Sequence, residues 1–248
     1  MGGKFRQGPA IAAVVARALT PGCVYFEPFC GACGSAYRVA PLLPLGVSMR
    51  LSDSNEALVN MWRSVMVGWD PPDVILNDVY DRLKQTRDPL DPLTAYYGFG
   101  ASFGGKWFGG YARDVRGGSG ATNTKLSIRL KAATLLKASV LRKVSAQFMA
   151  SDYAYVKGVG VGVWYLDPPY RDTTKAHGVK FDHIRFWTWA RGLVLDGNKV
   201  IVTEFMAPDD FVSVYSWGDT AVRHHGGRGG DGTDERIFVH ESQAEEFR

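Results

Sequence analysis

The sequence predicts an α/β protein built on an open, mostly parallel sheet, and three observations predict it. Short apolar runs rich in strand formers alternate with helical patterns on both sides of a distinct middle segment. One of these runs, VGVWYL at 161–166, reads as a buried strand. The tail carries two strand-like runs around a glycine-rich gap, which fits an antiparallel hairpin at one edge. The 248 residues, 46% apolar and 12% aromatic, suit one domain or one domain with a sizeable insertion, and they exclude disorder as the main state.

In chain order, residues 9–19 read as a short helix with Pro9 near its start. Residues 23–29 (CVYFEPF) read as a strand, followed by Gly31 and Gly34. Residues 47–52 form a second strand ending at Asp53, and 55–67 a helix with Leu58, Met61, Trp62 and Val65 on one face. After the middle segment, 146–151 and 161–166 are strands, 182–195 a helix and 199–205 a strand. Residues 208–215 read as a short helix, and 219–224 and 236–240 as the closing hairpin around HGGRGGDGTDE.

The middle is different in kind. Residues 98–120 hold nine glycines together with Phe99, Phe103, Trp107, Phe108 and Tyr111. That composition excludes a regular helix and suggests a loop or hairpin insertion with aromatic tips. Residues 125–143 then form a basic helix whose apolar face is expected to be Leu126, Leu130, Ala133, Leu136 and Val140. The formal charge of +4 is unevenly spread, because 98–151 carries nine basic residues against one acidic residue. Such a block beside aromatics is what a polyphosphate backbone attracts; a solvated helix face is the plainer alternative.

Asp167-Pro168-Pro169-Tyr170 follows directly on the 161–166 strand. Ligands of open α/β sheets gather at the carboxyl ends of strands. Two successive prolines stiffen the chain and remove two backbone donors, so the Pro168 carbonyl is free to face a ligand. With the Asp167 carboxylate it presents two acceptors to one flat amino group, and Tyr170 offers a face for stacking. A strand-ending turn is the alternative reading of those four residues. Upstream, the glycine turn in YFEPFCGACGS and the acid Asp53 at the end of the next strand add the order strand–Gly turn, strand–acid, strand–DPPY. An acid in that second position accepts hydrogen bonds from ribose hydroxyls in nucleoside-binding sheets.

With these motifs the chain resembles the Dam-like DNA adenine-6-amino methyltransferases, especially those of bacteriophages. The resemblance rests on Gly2-Gly3-Lys4, the EPFCG turn at 27–31, SDSN at 52–55, FGGKWFGGY at 103–111 and DPPY, and it covers almost the whole chain. It implies a Rossmann-like class I methyltransferase sheet, mostly parallel with an antiparallel last strand. It divides the chain into a catalytic domain (1–69 and 144–248) and an inserted DNA target-recognition region (70–143). It implies that S-adenosylmethionine is the cofactor, bound by Lys4, Glu27, Pro28, Phe29, Cys30, Gly31, Asp53, Ser54, Asn55, Asp152, Tyr153 and Asp167. Asp53 would hold the ribose and Asp152 the cofactor's adenine amine. Asp167, Pro168, Pro169 and Tyr170 would act on the target base, an adenine flipped out of double-stranded DNA. Lys106, Trp107, Phe108, Tyr111, Arg113, Arg116, Lys125 and Arg129 would bind DNA; for Trp107, Phe108 and Tyr111 an internal mini-core under the glycine-rich loop is the alternative. Where many relatives have Gly-x-Gly after EPF, this chain has Gly31-Ala32-Cys33-Gly34.

Other classes are weaker. Cys30 and Cys33 form a C-x-x-C, but there is no second pair, and His224 and His225 are adjacent rather than spaced as ligands, so no metal is expected. No apolar run approaches the roughly 20 residues of a membrane span. With no signal core at the start, the expectation is a protein of the bacterial host's cytoplasm, monomeric or weakly dimeric. Two alternatives remain open at this point: a methyltransferase acting on another amine, such as the cytosine 4-amino group, and a catalytically inactive DNA-binding protein with a methyltransferase fold. The biological setting that fits a phage enzyme is restriction and modification.

Overall fold

The structure is a computed structural model that describes residues 4, 6–113, 122–158, 160–170, 181–217 and 234–247. Its centre is a seven-stranded sheet. The strands are β1 (Val24–Glu27), β2 (Ser48–Asp53), β3 (Gln147–Ala150), β4 (Gly162–Leu166), β5 (Lys199–Glu204), β6 (Phe211–Ser216) and β7 (Arg236–His240), in spatial order β3-β2-β1-β4-β5-β7-β6. The β1–β5 pairings are parallel, and β7 runs antiparallel to both β5 and β6. This is the mostly parallel Rossmann-like sheet with a reversed last strand. The order turns back between β1 and β4, so the carboxyl ends of those two strands flank a topological switch point.

The central strands are apolar because both of their faces are covered. All five residues of β4 are buried. One face packs under α1 (Gly8–Ala18), α2 (Ala36–Val39) and α3 (Glu56–Met66), with Ile11, Tyr25, Met61, Trp62 and Tyr165 among the buried side chains. The other face packs under α7 (His183–Leu195), where Phe26, Trp164, Phe186 and Val202 meet. Phe26 stacks on Trp164 with ring centroids 4.1 Å apart. Gly162 makes room for that stack, since a Cβ there would lie 2.8 Å from the Phe26 ring and 2.9 Å from the Val24 carbonyl.

The middle of the chain packs on the same core as α1–α3. It contains α4 (Asn77–Thr86), α5 (Pro92–Ala95), a π-type turn over Tyr96–Gly100 and α6 (Thr124–Lys143). Tyr80, Leu83, Tyr96, Phe108, Leu130 and Leu141 join the core on this side of the sheet. Residues 101–112 form the hairpin expected of the glycine-rich segment, with Phe103 N–H donating to Gly110 and Ala112 N–H to Ala101.

Several expectations are corrected. Residues 208–215 are not helical. Pro208 accepts a turn hydrogen bond from Phe211 N–H, and the alternating Phe211, Val212, Ser213, Val214 and Tyr215 run as the edge strand β6. The partner of β7 in the closing hairpin is therefore β6; residues 219–224 lie outside the described residues. The inward face of α6 is Ser127, Leu130, Thr134, Lys137, Ala138 and Leu141, whereas Ala133 and Leu136 face outward. Polar side chains are tolerated inside because each has a partner. Ser127 Oγ accepts from Ile75 N–H at 2.9 Å, Thr134 Oγ donates to the Leu130 carbonyl at 2.8 Å, and Lys137 Nζ to the Ala32 carbonyl at 2.6 Å.

Candidate functional site

The parallel strands end in a row of acids: Glu27 closes β1, Asp53 closes β2, Asp152 follows β3, Asp167 follows β4 and Glu204 closes β5. Because β7 runs backwards, Glu235, just before its first residue, arrives at the same edge. An edge so rich in carboxylates suits a ligand that presents donors or positive charge.

The turn after β1 is tied down by its neighbours. Asp53 Oδ2 accepts from Gly31 N–H at 3.1 Å and Oδ1 from Asn55 N–H at 2.9 Å. Asn55 in turn caps α3, its Oδ1 accepting from Leu58 N–H at 3.0 Å. Trp62 Nε1 donates to the Gly31 carbonyl at 3.0 Å. Both Gly31 (φ 47°) and Cys33 (φ 55°) are left-handed. Cys33 therefore takes, with a side chain, a conformation that glycine adopts at lower cost, and this is the region where the Gly-x-Gly spacing is lost. Pro28 and Cys30 are buried, and Ser54 is exposed beside Asp53.

Glu27 is 1% exposed and accepts from Tyr25 Oη at 2.7 Å and Ser35 Oγ at 2.5 Å. Burial pushes its carboxyl up to about 8, against the pull of those two hydroxyls. On the β3 side, Phe29, Tyr153, Phe181 and Phe186 form an aromatic wall, with the Phe29 and Tyr153 centroids 5.3 Å apart. Asp152 stands at its edge, accepting from Ala154 N–H at 3.0 Å and lying 3.6 Å from the Arg185 guanidinium.

At the end of β4, Lys4 Nζ lies 3.1 Å from Asp167 Oδ1, and the Tyr170 hydroxyl, 3.1 Å from the same oxygen, shares its one hydrogen between that oxygen and Glu235 Oε1 at 2.5 Å. Both the ammonium and the hydroxyl approach Asp167 nearest to its Oδ1. Burial raises the Asp167 carboxyl to about 6; Lys4 opposes the rise and Glu235 adds to it. The Lys4 ammonium also sits 4.3 Å from the centre of the Tyr170 ring, and Phe205 meets that ring edge-on at 4.8 Å. Pro168 is buried and Pro169 exposed.

The chemistry of this row fits a nucleoside cofactor. Paired carboxylate lone pairs at Asp53 match a diol, the wall at Phe29 and Tyr153 matches a purine, and Asp152 matches an exocyclic amine. Among the described residues no group of His, Cys, Asp and Glu is arranged to hold a metal ion, and no helix is long and apolar enough to cross a membrane. The three cysteines are buried and free.

The insertion is divided. Lys106, Arg113, Lys125 and Arg129 are exposed. Phe108 is 4% exposed and packs on Tyr80 with centroids 5.3 Å apart, inside a small core of this segment. Trp107 is partly buried against Phe99 and Phe108, and the Tyr111 hydroxyl donates to the Ile75 carbonyl at 3.0 Å. The exposed aromatic is Phe103, at 76%. Arg116 lies outside the described residues. Part of the basic block is engaged internally. Lys131 bridges Asp70 and Asp73 at 2.7 Å each, Lys137 holds the Ala32 carbonyl, and Arg142 caps the end of α3 through the Met66 and Val65 carbonyls.

Glu235, Arg185 and Gln7 are site residues that sequence reasoning missed. A signal existed for the first, since the residue preceding a reversed strand paired with β5 must fall at the carboxyl edge.

No family model matches the chain, and no curated relative does. Two solved structures are similar in part. One is SMU.472, provisionally assigned as a methyltransferase and complexed with SAH (9% identity, TM-score 0.37); the other is from Clostridium difficile 630 and provisionally assigned as a methylase (10% identity, TM-score 0.34). Each comparison covers 93% of this chain and 51% of the other, so this chain spans about half their length. Likeness at that level carries no assignment of activity.

Proposed function

We propose that the protein is a site-specific DNA adenine methyltransferase that moves a methyl group from S-adenosylmethionine to the adenine 6-amino nitrogen. The observation that carries this reading is Asp167-Pro168-Pro169-Tyr170 at the carboxyl end of buried β4, with the Tyr170 hydroxyl and the Lys4 ammonium both nearest Oδ1 of Asp167, in line with Asp53 and Asp152. S-adenosylmethionine would supply the electrophilic methyl carbon, its S–CH3 bond breaking as the N–CH3 bond forms. S-adenosylhomocysteine would be the leaving thioether, and the proton lost from the amino nitrogen would pass by way of the Asp167 carboxylate to water. Glu27, Asp53, Asp152, Phe29 and Tyr153 would hold and orient the cofactor.

The 6-amino lone pair is delocalised into the purine ring. The Asp167 carboxylate and the Pro168 carbonyl accept the two amino hydrogens, which favours a tetrahedral nitrogen, and the carboxylate stabilises the positive charge that develops there. Holding nitrogen and methyl carbon in line supplies much of the remaining acceleration. The base leaves the duplex at a cost of a few kcal/mol, offset in part by stacking on Tyr170. The exposed Lys106, Arg113, Lys125 and Arg129 contact the phosphates.

The test is methylation of duplex DNA with nucleoside analysis of the product. N6-methyladenine from the wild type, lost by at least roughly 100-fold in Asp167→Ala with cofactor affinity kept within a few-fold by calorimetry, is the expected result. N4-methylcytosine as the product, or near-wild-type turnover in Asp167→Ala, overturns it.

A further inference from the structure

Asp167 and Tyr170 share their surroundings with a carboxylate from the far end of the chain. Glu235 Oε1 contacts the Lys4 ammonium and accepts from the Tyr170 hydroxyl at 2.5 Å, and its Oε2 accepts from Gln7 Nε2 at 3.1 Å. Its side chain is 14% exposed. Four segments thus meet at one carboxylate: the N-terminal segment through Lys4, α1 through its preceding residue Gln7, the loop after β4 through Tyr170, and the start of β7.

From this geometry we infer that Glu235 is a positioning residue: it draws the Lys4 ammonium and the Tyr170 phenol to the Oδ1 side of Asp167, so that the Oδ2 side of the carboxylate is kept for the incoming amine. Without a second acceptor, a lysine facing a lone buried aspartate would take both of its oxygens, or the better-placed one, and would compete with the substrate for them. Glu235 also sets the charge of the pocket. Asp167 and Glu235 around one lysine leave a net negative charge, which favours an amine acquiring positive charge. The inference rests on the methyl-transfer reading for its kinetic consequences, but its electrostatic consequence is independent of it.

That consequence is the titration of Asp167. The charged and titratable groups facing it are Lys4 from the N-terminal segment, Glu27 from β1, Tyr165 from β4 itself, Tyr170 from the following loop and Glu235 from β7. Removing the Glu235 charge takes away a repulsion and gives Lys4 wholly to Asp167, and both changes favour the carboxylate. The protonation midpoint of Asp167 therefore falls below its value of about 6.

The experiment uses the full chain labelled with 13C at aspartate carboxyls, with Asp167→Asn identifying the resonance. In Glu235→Gln the midpoint of that resonance moves to lower pH, the acid limb of kcat against pH moves with it, and kcat falls by about 10- to 100-fold while KM for DNA stays within a few-fold. In Glu235→Asp, which keeps the charge but withdraws it by one methylene, the midpoint stays near that of the wild type while kcat falls. An unmoved midpoint in Glu235→Gln, or wild-type kcat in Glu235→Asp, overturns the inference. A wild type that leaves adenine unmethylated while the midpoint shift occurs counts against the adenine reading and for the placement of Glu235.

Discussion

Replacing Glu27 with glutamine should remove a large pH dependence from the stability of the fold. Glu27 is 1% exposed, and its carboxyl is raised from 4.5 to about 8. Between those two values the folded chain holds a proton that the unfolded chain has released. Stability is therefore fully present below pH 4.5 and is lost as pH rises toward 8, at 1.36 kcal/mol per pH unit, or roughly 5 kcal/mol over the whole window. Glutamine is close in shape and carries no proton to lose. Its amide can serve the same neighbours, because the Tyr25 and Ser35 hydroxyls accept as readily as they donate. The advantage of wild type over Glu27→Gln, or its deficit, should thus shift against wild type by about 2.7 kcal/mol between pH 5 and pH 7. Parallel urea denaturations at several pH values measure it. Groups common to both proteins, Asp167 among them, cancel to first order in the difference. A stability difference that is flat from pH 5 to pH 7 would refute the reasoning.

Other expectations concern the insertion. Gly98→Ala would place a Cβ 2.5 Å from the Trp107 ring and 2.9 Å from that of Phe108, two rings packed on each other, and should cost about 1–3 kcal/mol in thermal or urea unfolding. An unchanged melting temperature would contradict the packing described. If Lys125 and Arg129 contact phosphates, replacing either by alanine should weaken binding to all duplexes alike and reduce the slope of log affinity against log salt by about one. A preserved slope with altered sequence preference would place them on bases instead.

The strands β1, β2, β4 and β5 could be read from the sequence because a sheet covered on both faces demands apolar runs, and such runs stand out. Asp53 and Asp167 followed by simple geometry, each coming at the end of a strand, whereas Asp152 entered through the family resemblance. What was not legible depended on long-range partners. β6 resembles a helix because Asp209 and Asp210 precede Phe211 as acids precede a helix, and only pairing with β7 makes it a strand. α4 leaves little trace in the sequence because only Tyr80 and Leu83 of its ten residues are buried. The inward face of α6 departs from its apolar periodicity because Ser127, Thr134 and Lys137 find internal acceptors or donors that periodicity does not register. Glu235 carries no mark of a site in its glycine-rich surroundings, and its place beside Tyr170 follows from the reversal of β7.

The Lys137 ammonium, held on the Ala32 carbonyl, has an implication for engineering. Burial lowers the proton affinity of that amine, so the contact depends on the carbonyl it reaches. The segment that the sequence marks off as an insertion is thereby a strut of the turn it would be grafted beside. A chimera that exchanges residues 70–143 for a foreign counterpart will inherit a loosened turn after β1 unless the donor helix brings its own long cation at the matching register. Exchanging the segment wholesale is therefore the harder route, and resurfacing the outward side of α6 the easier one.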